Sequence, residues 1–209
     1  MNAVLLPLHR ELLASSRVAA WTRPSDRLRW AELGFLIGAG ATAAVAVSCL
    51  DFGLRVPGHA ILRAVFPMAF GLSLAPRRLG GLVMGASAWA MAMLLKSTGG
   101  SGLGIGALTS LCLTGPMLDV ALWRAKSGWP VYLSFAAGGC LANIGAFAVR
   151  GAGKLSGWES LLKRPLAEWV SVAWWSYLFC GLIAGLLSAA IWFRLRAGRD
   201  EECTPESAS

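Results

Sequence analysis

His59 and Arg63 stand four residues apart in "VPGHAILRAVFPMAFGLSLAPRR", residues 56–78, one helical turn from each other at the front of an otherwise apolar run. A guanidinium stays charged at any accessible pH, and a charge at a bilayer centre costs about 2.5–3.5 kcal/mol even on translocon-insertion scales. The chemistry these residues offer is anion binding. Pro57 suits a helix start, Gly58 lets backbone approach closely, and the free N–H groups of the first turn carry partial positive charge beside His59 and Arg63. Pro67 removes the hydrogen bond that the Arg63 carbonyl would accept, which predicts a kink and a freed acceptor. The competing reading is that Arg63 simply snorkels to lipid headgroups.

Few other polar side chains fall within apolar segments: Asp119 and Asn143, with Thr109, Ser110 and Thr114 as weaker members. Arg63 lies about 8 Å below the outer end of its segment at 1.5 Å per residue. Asn143 falls in the same half, whereas Asp119 falls near the opposite, cytoplasmic end. The first two therefore form a candidate solute site, and Asp119 is expected to serve structure or subunit coupling, pairing with Arg77, Arg78 or Arg124. Trp89, Trp174 and Trp175 sit at the level of Arg63 and are candidates for stacking on a bound ring. Trp158 and Trp169 lie closer to the interface, as an aromatic belt would.

Hydrolytic chemistry finds little support. "GASA" at 85–88 resembles the serine motif of intramembrane rhomboid proteases, but its last Gly is missing and His59 precedes Ser87. No HExxH, paired acidic motif or P-loop is present, so a metal, a cofactor and catalysis are not expected. Cys49, Cys112, Cys140 and Cys180 lie in apolar segments without CxxC spacing and read as small apolar side chains, and Cys203 lies in an acidic tail.

The elements that must position these groups are membrane helices. Of 209 residues, 56% are hydrophobic and 14% charged, and the mean hydropathy is +0.60. A crossing needs about 20 mostly apolar residues, and six stretches qualify: 31–50, 58–76, 79–96, 102–123, 129–149 and 169–193. The expected fold is an all-α integral membrane protein, a compact bundle of six transmembrane helices over 31–193. A basic amphipathic arm (1–30) precedes it and a polar tail (194–209) follows.

The net charge of +8 does not indicate nucleic acid, because the basic residues follow topology. With the N-terminus inside, Arg10, Arg17, Arg23, Arg27, Arg29, Arg77, Arg78, Arg124, Lys126, Arg194, Arg196 and Arg199, twelve of nineteen, fall on one side, against six in the other segments. This predicts both termini in the cytoplasm and a multi-pass protein of the cytoplasmic (inner) membrane. The longer loops, 51–57 and 151–168, gather on the outer side, where a lid would lie. Small residues recur at four-residue spacing, Gly34 with Gly38, Ala39 with Ala43 and Gly181 with Gly185, as closely packed membrane helices require.

Six short helices, a size near 200 residues and the run "PGHAILRAVFPMAFGLSLAPRRLGGLVMGASA" (57–88), followed by a Gly-rich fourth helix, resemble the S components of energy-coupling factor (ECF) transporters. The likeness spans the six helices but not the N-terminal arm or the tail. It implies a substrate-capturing subunit that binds a vitamin or related micronutrient near the outer face, with a transmembrane coupling protein and two ATPases as partners. An AxxxA pattern on the first helix contacts the coupling protein in that family, and Ala39 and Ala43 match it. The family's metal-transporting branch begins Met-His; this chain begins Met-Asn and has two His. Two other classes stay open: an intramembrane lipid or isoprenoid enzyme, which would need an acidic metal cluster, and a membrane assembly or scaffold subunit.

Overall fold

The structure, a computed structural model, describes residues 30–50, 57–75, 79–98, 103–124, 129–157 and 166–200. These form six helices and no strand: α1 Trp30–Cys49, α2 Ala60–Leu74, α3 Gly80–Ser97, α4 Ile105–Arg124, α5 Trp129–Leu155 and α6 Leu166–Asp200. Within α1, α4, α5 and α6 lie stretches long and apolar enough to cross a membrane. The basic arm, Arg55, Arg77, Arg78, Trp158 and Cys203 lie outside the described residues.

Each helix packs against its neighbours in the order α1, α3, α4, α5, α6, α2 and back to α1, and α2 also touches α4 across the ring. Little in this packing depends on a polar and an apolar face, since lipid and core are equally oily; close backbone approach decides it instead. Between α5 and α6, a Cβ at Gly181 would meet the Cys140 Cα at 2.7 Å, and one at Gly185 would meet the backbone of Phe135 and Ala136. Gly34 and Gly38 differ, with no atom within 4 Å of an added Cβ.

α2 is shorter than the expected segment. Its 15 residues span about 22 Å, against about 40 Å for the 27 residues of α5. The chain before it is taken up by a turn at Gly58, with φ +84°, where a side chain would be strained and its Cβ would lie 3.0 Å from Asn143 Nδ2 and from the Tyr177 ring. α5 and α6 are longer than expected. α5 runs past 149 to Leu155, and α6 runs through the start of the expected tail to Asp200.

At the other end of the bundle, α3 begins with Leu79 in the left-handed region and no cap of its own. Asp119 supplies the cap from α4, its two carboxylate oxygens accepting the Gly81 and Leu82 N–H groups at 2.8 Å each. Those donors would otherwise be orphans at a helix start, where a carboxylate also meets the favourable end of the dipole. The expected pairing with Arg77, Arg78 or Arg124 falls on side chains outside the described residues.

Candidate functional site

The turn that starts α2 is pinned from two sides. Ser176 on α6 donates to the Pro57 carbonyl, and Asn143 on α5 donates from Nδ2 to the Gly58 carbonyl at 3.2 Å and to the Tyr177 carbonyl at 2.6 Å. Held there, α2 starts below the end of its longer neighbours, and a cavity of about 440 Å³ occupies the recess. Its walls come from the end of α1 (Val47), the start of α2 (Pro57, Gly58, His59, Ala60, Arg63), the start of α4 with the residues before it (Leu103, Gly104, Gly106, Ala107, Ser110), α5 (Asn143, Arg150) and α6 (Tyr177). Starts of α2 and α4 meet the far half of α5 and the near half of α6, so the helices alternate in direction.

The cavity is cationic. Arg63 and Arg150 line it with His59, and among the described lining residues none is Asp or Glu. Side chains lean toward the N-terminus of their own helix, which turns the two arginines toward each other. Arg63 reaches back to His59, donating from Nη2 to Nε2 at 2.9 Å. Arg150, two turns beyond Asn143, reaches the Tyr177 hydroxyl at 3.4 Å. Arginine only donates, so His59 accepts on Nε2 in this arrangement and its imidazole proton sits on Nδ1. The start of α2 has no side-chain cap; the Ile61 and Leu62 N–H groups donate to the Gly58 and His59 carbonyls, and the positive end of the helix dipole lies at the cavity.

At the rim, the Lys154 ammonium lies 4.5 Å and the Arg150 guanidinium 5.9 Å from the Trp169 ring centre. Trp169 in turn stacks on Phe147 at 5.3 Å.

The structure brings together His59, Arg63 and Asn143 as the sequence predicts. It does not bring the three tryptophans to them. Trp89, Trp174 and Trp175 are 45%, 39% and 59% exposed and do not line the cavity, Trp174 lying edge-on to Phe147 and Trp175 stacked on Phe179. Trp169, expected in an interfacial belt, is buried instead. Ala39 and Ala43, the matched AxxxA pair, are also buried, at 9% and 0% exposure; an added Cβ at Gly71 of α2 would lie 2.7 Å from that of Ala39. They hold the bundle together and offer no surface to a partner.

Arg150 is the charged lining residue that sequence reasoning missed. Arg150 read as a flanking topology charge because the fifth segment was ended at 149. The signal was its spacing of seven from Asn143, which places both on one helix face if the helix continues. Among the described residues no group of His, Cys, Asp and Glu could hold a metal ion. The chain matches no family model, no curated protein and no solved structure.

Proposed function

We propose that this chain is a membrane-embedded receptor for a small organic anion, and that it serves as the substrate-capturing subunit of a micronutrient uptake system powered by separate coupling and ATPase subunits. One observation carries the reading: a bundle of apolar helices forms a recess lined by two arginines and a histidine, with no Asp or Glu among its described lining residues. Positive charge at membrane depth is costly, and an anion that enters the recess offsets part of that cost through charge-assisted hydrogen bonds. A helix start aimed at such a recess adds to the same field. The size of the cavity falls in the range of small-molecule sites. The resemblance to S components supports the transport half of the reading.

Equilibrium binding to the purified full chain in detergent tests the receptor reading. Carboxylates such as 4-hydroxybenzoate and 4-hydroxybutyrate should raise the thermal midpoint and bind saturably, while the neutral counterparts phenol and butanol should not. Equal binding of charged and neutral members would refute it.

In this reading all six helices cross the membrane, both termini are cytoplasmic, and the recess opens outward. The orientation rests on the twelve-to-six division of Arg and Lys among the flanking segments. A membrane-impermeant thiol reagent applied to intact cells should label a cysteine introduced within 97–101 and leave one introduced within 124–128 unlabelled. The reverse pattern would invert the topology.

A further inference from the structure

The cavity contains two buried polar atoms that its positive charge does not account for. Asn143 is fully buried, and its Nδ2 is committed to the Gly58 and Tyr177 carbonyls. Both partners are acceptors, so turning the amide over would set oxygen against oxygen, and its orientation is fixed. Its Oδ1 is left as a buried acceptor without a partner, and so is the Oγ of Ser110, a residue only 2% exposed. One turn on, Thr114 satisfies its own hydroxyl by donating to the Ser110 carbonyl at 2.6 Å, which Ser110 Oγ does not do in its turn of α4.

The anionic group of a ligand cannot satisfy Asn143 Oδ1, because both are acceptors. An O–H or N–H can. We infer that the anion taken by this cavity also carries a neutral hydrogen-bond donor, a hydroxyl or N–H set apart from its charged group, and that Asn143 Oδ1 accepts from it with Ser110 Oγ as a second polar contact.

The geometry of α5 sets the scale. Asn143 and Arg150 are seven residues, about 10 Å of helix axis, apart on one face, and Arg150 leans back toward Asn143. The charged group and the donor are therefore separated by several bonds, as in a hydroxy, amino or amido acid, and an inorganic ion is too small to meet both. This selectivity rests on the anion reading. It extends it, because a site with a buried group built to pair with a ligand hydroxyl or N–H rejects the analogue that lacks one far more strongly than an apolar pocket rejects a missing methylene.

The test uses skeleton-matched carboxylates on the purified full chain: benzoate against 3-hydroxybenzoate, 4-hydroxybenzoate and 4-aminobenzoate, and butyrate against 3-hydroxybutyrate and 4-hydroxybutyrate. In at least one series a donor-bearing member should bind at least about tenfold tighter than its parent, equivalent to about 1.4 kcal/mol. That advantage should shrink in both Ser110→Ala and Asn143→Leu. Should Asn143→Leu fail to fold, since it also frees the Gly58 turn, Ser110→Ala and the wild-type comparison still decide.

Parents and donor-bearing members binding alike, with Arg63→Gln abolishing both, would overturn the donor inference and leave the anion reading standing, with water as the partner of Asn143. A donor advantage that persists undiminished in Ser110→Ala and in folded Asn143→Leu would also overturn it. Absence of binding by every carboxylate would remove both readings together.

Discussion

Replacing Arg63 by Gln is expected to weaken binding of 4-hydroxybenzoate, or of the tightest carboxylate found, by at least about a hundredfold while the protein stays folded. A hundredfold corresponds to about 2.7 kcal/mol, within the range for removing one partner of a buried, hydrogen-bonded charge pair. Glutamine keeps a donor and much of the length of the side chain, so the loss isolates the charge. Arg63→Lys should retain part of the affinity, because it keeps the sign but loses the planar fork that meets a carboxylate with two bonds. His59→Gln should matter less than either, since the amide oxygen of Gln can accept the bond that His59 Nε2 now takes from Arg63. Calorimetric titration of the four proteins in one detergent decides the ranking. If Arg63 only anchored headgroups, Arg63→Gln would leave solute affinity intact and lower stability alone, and that outcome would sink the anion site.

The parts of this site that the sequence made legible were those where a polar residue interrupts an apolar run. His59, Arg63 and Asn143 are conspicuous for that reason, and their heights could be ranked by counting 1.5 Å per residue. Rotation about the helix axis was not legible. In water an apolar stripe tells which face is inside, but a helix between lipid and core is apolar all round, so Trp89, Trp174 and Trp175 sat at the right height on the wrong face. The same ambiguity moved Ala39 and Ala43 from an imagined partner surface into the core. Helix ends were the other gap. Arg150 joined the site only because α5 continues to Leu155, through Gly151 and Gly153, which propensity alone treats as a stop. The recess itself follows from a positive φ at Gly58 and a short α2, neither of which hydropathy reports.

The second large effect is expected far from the cavity, where α3 and α4 meet through glycine. A Cβ at Gly115 would lie inside van der Waals contact of the Gly81 carbonyl oxygen, 2.8 Å from its carbon and 2.9 Å from the Gly85 nitrogen. All three are backbone atoms, so no side chain can swing aside and the two helices would have to part. Parting them would also pull Asp119 from the Gly81 and Leu82 N–H groups it now caps at 2.8 Å, leaving donors unsatisfied where lipid offers no replacement. Gly115→Val should therefore cost at least about 3 kcal/mol, the upper part of the overpacking range, or prevent folding altogether. Gly34→Val is the matched control, because nothing lies within 4 Å of a Cβ there, and its thermal midpoint should stay close to wild type. Asp119→Asn keeps one of the two acceptor oxygens and should cost about 1 kcal/mol, in the range of a lost helix cap. It should not change carboxylate affinity, since Asp119 stands at the end of the bundle opposite the recess. Thermal melts and size-exclusion profiles of the three variants, with a titration of Asp119→Asn, check these expectations together. A Gly115→Val protein as stable as Gly34→Val would mean that α3 and α4 do not meet at this seam, and lost affinity in a well-folded Asp119→Asn would tie the capping carboxylate to the solute after all.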